Sequence, residues 1–182
     1  MSSRDSPEMI FDLMGFGRDP ARVNLSAVEH HLAASFGPSL AMVADALALP
    51  LDDIVATGAV AVARQTVEIA AGTIAAGTVA AQKIEVSGIR QGRPLLRFLA
   101  NWYLTTEVDP AWDLRETGWH LLVEGDMPLD VQIRFPVALD QWGQTSPGLT
   151  AHLPVNAVPY VCEAEPGIRT TADLPPIIAK LG

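Results

Sequence analysis

At 182 residues, with 49% hydrophobic and 18% charged residues, the chain is long and apolar enough to fold around one real core, which argues against a disordered protein. Its net charge of −9 and pI near 4.7 argue against the broad basic surface that a nucleic-acid partner requires. Cys162 is the only cysteine, so a disulfide framework is excluded and a reducing, cytoplasmic compartment is expected. The opening MSSRDSPEM carries no apolar leader segment. The most apolar stretch, Ala56 to Ala81, is broken by Arg64, Glu68 and glycines, which suits a sheet and not a membrane span.

Taken in order, Ser6-Pro7-Glu8 reads as a helix start, with a hydroxyl cap, proline in the first turn and an acid beside it. Met9, Ile10, Leu13 and Met14 give a short apolar face, and Gly15 or Gly17 ends it. Ser26 followed by Glu29 forms a capping-box pattern for a second helix. Pro38 interrupts that pattern, which predicts two helices, or one with a sharp break, ending before Pro50.

From Asp53 the period changes. Residues 54–63 are small, β-branched and non-amphipathic, as in a strand buried on both faces. Strand structure continues at Glu68-Ile69-Ala70. The near-duplicated AAGTI and AAGTV follow, and their glycines mark either a bulge or a close backbone approach to a ligand. Val79 to Ile89 alternates, turns at Arg90–Arg93 and returns through Leu96, Phe98, Ala100, Trp102 and Leu104 on one face, a long hairpin. Asp109–Asp113 is a loop. Thr117 to Glu124 and Leu129 to Val137 are two further strands, the second with Leu129, Val131, Ile133, Phe135 and Val137 directed inward. Ser146-Pro147 opens a last helix, bent by Pro154 and Pro159 and stopped at Pro166-Gly167. Helices, then strands, then a helix give an α+β domain: one mixed, mostly antiparallel sheet with helices packed on one face.

No self-contained cofactor or metal motif is present. Gly15-Phe16-Gly17 follows a helix and not a strand, so it is no dinucleotide fingerprint. His30 and His31 are adjacent on a helix and point about 100° apart, which makes them poor joint ligands for one metal. His30 could act as a general acid or bind an anion, or both could face solvent. Trp102, Tyr103, Trp112, Trp119 and Trp142 could line an apolar pocket, fill a dimer interface or pack a core. Asn156, between Pro154 and Pro159, either satisfies a freed carbonyl or faces a ligand. Cys162 has no activating base nearby in sequence and reads as a small buried residue.

Several of these stretches together resemble one family: SPEMIFDLMGFG, HHLAASFGPSLAMVADAL, AAGTIAAGTVAAQKIEVSG, Trp102 and VNAVPYVCEAEPGIRTTADLP. It is the dihydrodipicolinate-reductase-like dehydrogenases, which include the 2,4-diaminopentanoate dehydrogenases and the native amine dehydrogenases. The resemblance covers the C-terminal half of that family. It implies a single substrate-binding and dimerisation domain over residues 1–182, with the family's N-terminal Rossmann domain absent. It implies an NAD or NADP cofactor bound mainly outside this chain, a small amine, imine or carbonyl substrate, and a homodimer formed through the sheet. On this resemblance Asn156 and Tyr160, in the closing helix, are substrate-binding or cofactor-facing candidates beside His30, His31, Trp102 and Trp112, with no catalytic residue assigned. The sequence lacks the lysine of the E-x-H-H…K-x-x-x-P-S-G-T motif of true dihydrodipicolinate reductases, and Ser39 precedes Leu40-Ala41, so dihydrodipicolinate is not the expected substrate. A stand-alone small-molecule-binding or oligomerisation module is the alternative.

Overall fold

The computed structural model describes residues 6–114 and 118–177. The Ser6 hydroxyl accepts a hydrogen bond from the Met9 N–H, 3.2 Å away, as the cap pattern predicts. The next turn is wider than expected: Met14 N–H reaches the carbonyl of Met9 at 3.0 Å, so Glu8–Leu13 is a π-helix. Gly15, at φ +71°, ends it. The wide turn points Ile10 and, beyond it, Phe16 into the core, where both are fully buried. A short 3-10 turn at Pro20–Arg22 follows.

Helix α1 spans Leu25–Ala46. Asn24 caps it, accepting from the Ala27 N–H at 3.2 Å, in place of the expected Ser26. Glu29 does not close a capping box; its Oε1 accepts the Gly58 N–H at 2.6 Å. Pro38 does not break the helix. It deprives the Ala34 carbonyl of its donor, and Ala34 is exposed, so water can serve that carbonyl. Gly37 beside it is buried, and a Cβ there would lie 3.2 Å from the Ile54 side chain, a tight contact that glycine avoids.

The strands are β1 (Asp53–Ala63), β2 (Val67–Ile69), β3 (Gly72–Ile74), β4 (Val79–Arg90), β5 (Arg93–Tyr103), β6 (Val108–Asp109), β7 (Gly118–Val123) and β8 (Leu129–Arg134), followed by helix α2 (Leu139–Glu163). The main sheet has the order β5-β4-β1-β6 and is antiparallel throughout. Two separate two-stranded ladders, β2–β3 and β7–β8, accompany it. The class is α+β, as expected, with α1 on one face of the main sheet.

The helix face of the sheet holds Ile84 and Val86, which pack with Leu32 of α1, and the stacked Phe36 and Phe98 rings lie 4.4 Å apart. A second cluster gathers Ile10, Phe16, Ile74, Val79 and Val108 at the start of β4. Residues 17–18 are strapped to that point: Gly17 N–H donates to Val79 O at 2.8 Å, and Val79 N–H donates to Arg18 O at 2.9 Å. The Gln82 side-chain amide also donates to the Met14 carbonyl.

Four further sequence expectations change. Strand β1 is not buried on both faces; Val55, Thr57 and Ala59 are exposed, because α1 covers one side only. The AAGT repeats fall at turns, and the expected bulge lies just beyond the second, where Ala61 faces Ala81 but Val62 faces Val79. Ala70–Ala71 join β2 to β3, and Gly77, at φ +79°, turns the chain into β4. Strand β8 ends at Arg134, before the donor-less Pro136, and its expected inward face is instead largely exposed because β8 pairs only with β7. Helix α2 begins at Leu139, ahead of Ser146, and carries Pro147, Pro154 and Pro159 inside it. The Thr117 start expected for β7 and the Trp142 side chain lie outside the described residues.

Candidate functional site

The sequence candidates do not gather at one place. His30 and His31 are exposed on α1. Trp102 lies on the helix face of β5, touching both core clusters, so its indole is spent on packing. Asn156 donates from Nδ2 to the His152 carbonyl at 2.7 Å, one turn back, and not to the Thr150 or Val155 carbonyl that Pro154 and Pro159 leave without a donor. Tyr160 lines a shallow groove of about 330 Å³ at the end of α2, with Glu163, Arg169, Asp173 and Leu174. There Asp173 Oδ2 accepts both the Thr170 N–H and hydroxyl at 2.7 Å, and those bonds hold its carboxyl below the ordinary value. Cys162 is exposed, contrary to expectation. It lies on α2, whose surface is mostly exposed.

Trp112 is different. It follows β6, packs its rim on the core and presents its ring to Lys83 Nζ, 4.6 Å from the ring centroid. Lys83 belongs to the face of the main sheet opposite α1. Strand alternation puts Lys83, Glu85 and Ser87 on that face, and the register sets Arg97 opposite Ser87 and Asn101 opposite Lys83. Glu85 Oε1 accepts the Ser87 hydroxyl at 2.9 Å and lies 3.8 Å from Arg97 Nε. Small residues of β1, Thr57 and Ala59, sit across from Glu85 and Lys83. The result is a face of mixed polarity, with exposed Leu99 set opposite Glu85 and Val55 opposite Ser87, walled at one end by an indole. The alternation of β4 and β5 carried this signal: three consecutive same-face positions of β4 are Lys, Glu and Ser, where a buried strand would be apolar.

A second polar pair occurs on the β7–β8 ladder, where His120 Nε2 and Asp130 Oδ1 are 2.9 Å apart. Among the described residues, no three His, Cys, Asp or Glu side chains converge as a metal site would require. No helix of the described residues is long and apolar enough to cross a membrane.

A nicotinamide dinucleotide needs free backbone N–H groups at a glycine turn or helix start for its pyrophosphate. Neither the Gly15–Gly17 turn nor the start of α1 fits it. The Gly17 N–H is bonded to Val79 O, a Cβ on Gly17 would meet the Phe11 ring at 3.3 Å, and the first turn of α1 is closed by the Asn24 side chain.

The architecture is that of an α+β domain with an antiparallel sheet covered by a helix on one face and open over part of the other, where Val55, Thr57 and Ala59 are exposed. The family model of the 2,4-diaminopentanoate dehydrogenase C-terminal domain matches residues 21–182, and the chain belongs to that family. It therefore carries the C-terminal domain of a dehydrogenase family. No curated protein sequence matches the chain.

Proposed function

We propose that this domain is the substrate-facing and dimerising half of an NAD(P)-dependent oxidoreductase acting on C=N or CH–NH₂ groups of a small molecule in the cytoplasm. The observation that carries the proposal is the open face of the main sheet. It has a polar centre at Lys83, Glu85 and Arg97 and an aromatic wall at Trp112, in a chain of a dehydrogenase family. A dinucleotide-binding unit, on the same polypeptide or another, supplies the nicotinamide. The sheet face supplies binding and orientation of the amine or carbonyl partner.

The test joins the 182 residues to the dinucleotide-binding domain of a 2,4-diaminopentanoate dehydrogenase, fused ahead of Met1 or added in trans. Amine-dependent reduction of NAD or NADP is then followed by absorbance. Turnover by the combination, and none by the isolated chain, is the expected result. An isolated chain that oxidises amines with NAD(P) overturns the division of labour, and a folded combination inert toward amines, imines and carbonyls overturns the activity.

The second role is dimerisation, and one observation favours it. Trp119, Leu121 and Val123 of β7 pair with Ile133, Val131 and Leu129 of β8, which makes one face of this ladder wholly apolar. Trp119 and Leu121 are 61% and 54% exposed, so among the described residues little covers this face. A two-stranded ladder of this kind is not stable by itself in water, and a second copy offers a matching face. The same feature would serve a stand-alone oligomerisation module, which is what remains if the fused protein shows no turnover.

A further inference from the structure

We infer that the tip of the β4–β5 hairpin is a phosphate-binding site, with Arg90 and Arg93 as its two cationic arms and a phosphate monoester dianion as its ligand. The inference goes beyond the dehydrogenase proposal and does not rest on it.

An unpaired cation carries it. Arg90 Nη1 is shut off from solvent and has no hydrogen-bond partner. Buried polar groups are almost always paired, and a charged one costs most when it is not. Strand alternation puts Arg90 on the α1 side of the sheet, two positions beyond Gly88. Leu51 presses on the strand there, so closely that a Cβ on Gly88 would lie 2.5 Å from it. The next residue, Asp52, bonds to both neighbours of Arg90 and to neither of its charges. Its N–H donates to the Ile89 carbonyl at 2.7 Å, and its Oδ2 accepts the Gln91 N–H at 2.5 Å. Asp53 is turned to the Ile54 N–H, 2.8 Å from its Oδ1. Among the described residues no carboxylate lies within ion-pair distance of Arg90.

The register adds a second cation. Arg93, which is exposed, stands directly opposite Arg90. Like charges facing each other across a strand pair destabilise it, and an anion between them reverses that sign. The two turn residues, Gln91 and Gly92, have φ of +51° and +70°. Asparagine or glycine occupies the first position of such a turn with less strain than glutamine. Gln91 instead places a longer amide at the tip, a further donor beside the two guanidinium groups. Asp52 fixes the turn before a ligand arrives, which lowers the entropic cost of binding.

Charge and shape set the ligand class. A carboxylate is a monoanion whose two oxygens match one guanidinium fork. A phosphate monoester carries nearly two charges at neutral pH and three acceptor oxygens, enough for both arginines and the amide. A small phosphorylated compound and a nucleotide present that same group.

The experiment uses the 182-residue chain at constant ionic strength, with methyl phosphate, acetate and adenosine 5′-monophosphate as probes. Binding is read from the backbone amide signals of Gln91 and Gly92 in a heteronuclear NMR titration. Methyl phosphate should saturate with a millimolar Kd, about tenfold tighter than acetate. Its binding should weaken as pH falls below about 6, where a monoester loses its second charge. Equal affinity for adenosine 5′-monophosphate makes the phosphate alone the recognised group, and tighter binding makes a nucleotide its source. Arg90→Gln and Arg93→Gln should each weaken methyl phosphate about tenfold, whereas Arg64→Gln, at the far end of β1, should not. Arg90→Met should abolish binding and raise the melting temperature in phosphate-free buffer, because it removes an uncompensated buried charge. A lower melting temperature would make Arg90 a structural residue and overturn its place in the site. No saturable shift with methyl phosphate, acetate bound as tightly, or an Arg64→Gln loss equal to that of Arg93→Gln would overturn the inference as a whole. Arg93 is exposed, so its variant keeps the test decisive even where Arg90 variants fold poorly.

Discussion

At the scale of single residues, backbone conformation and hydrogen-bond partners decide what each position tolerates. Gly77 has φ +79°, and a Cβ there would meet nothing within 4 Å. Any cost of substitution is therefore backbone strain and not a clash. Gly77→Val should lower stability by about 1–2 kcal/mol, because a β-branched residue resists the left-handed region. Gly77→Asn should lose less, and the two melting temperatures give the comparison. The sequence raised a ligand approach for this glycine; a loss confined to stability fits the turn. Asp173 gives a pH prediction. Its folded pKa is depressed by two hydrogen bonds from Thr170, so the turn they close is intact above the ordinary carboxylate pKa and loosens as pH falls through the lowered one. The Thr170 amide shift should follow that acid titration, and in Asp173→Asn it should be flat. Glu29 marks the limit of residue-level reading. Its spacing from Ser26 fits a capping box, yet it reaches a strand amide twenty-nine residues away, and no local pattern encodes that partner.

At the scale of elements, legibility followed periodicity. The β4–β5 hairpin was readable to within a residue or two, because two alternating runs flank a short polar turn. The open face of that hairpin was also readable, since Lys83, Glu85, Arg97 and Asn101 alternate with apolar positions. What could not be read was that Trp112, from a loop beyond β6, would close over Lys83. Strand β1 misled because alanine-rich strands look the same whether one face or two are covered. Helix α1 misled at Pro38, where composition signals a break and tertiary packing overrides it. The ladder beside Pro38 lacks one donor, and Gly37 pins the helix against Ile54. Restoring the donor with Pro38→Ala should raise stability by about 1–3 kcal/mol, since proline costs about that much inside a helix. A higher melting temperature with unchanged β-sheet content is the expected outcome. A lower one would mean that Pro38 itself is required for the fit of α1 on the sheet.

At the scale of the whole molecule, the domain extends beyond the family match, which begins at residue 21. Ile10 and Phe16 lie before it, are fully buried, and complete the cluster at the start of β4. Phe16→Ala should cost about 3–5 kcal/mol, a large share of the roughly 5–15 kcal/mol that holds a typical domain together. A chain trimmed to residues 21–182 should accordingly fail to melt cooperatively, whereas one trimmed only of residues 1–5 should. The opposite end of the balance is the apolar face of β7–β8. Stable interfaces bury about 800 Å² per partner, more than one short ladder presents, so neighbouring apolar surface must join it. Helix α2 also exposes apolar residues, among them Leu149, Leu153 and Val158. If two copies meet there, Leu121→Glu places a charge at the centre of the contact without touching the main sheet or its clusters. Light scattering at micromolar concentration should give a dimer for the parent chain and a monomer for the variant, with the melting transition of the main core retained in both. A parent chain that is monomeric under those conditions would remove the second copy as the partner of this face and leave the dinucleotide-binding unit as its occupant, which the fused protein would then reveal as protection of Trp119 and Leu121 from hydrogen exchange.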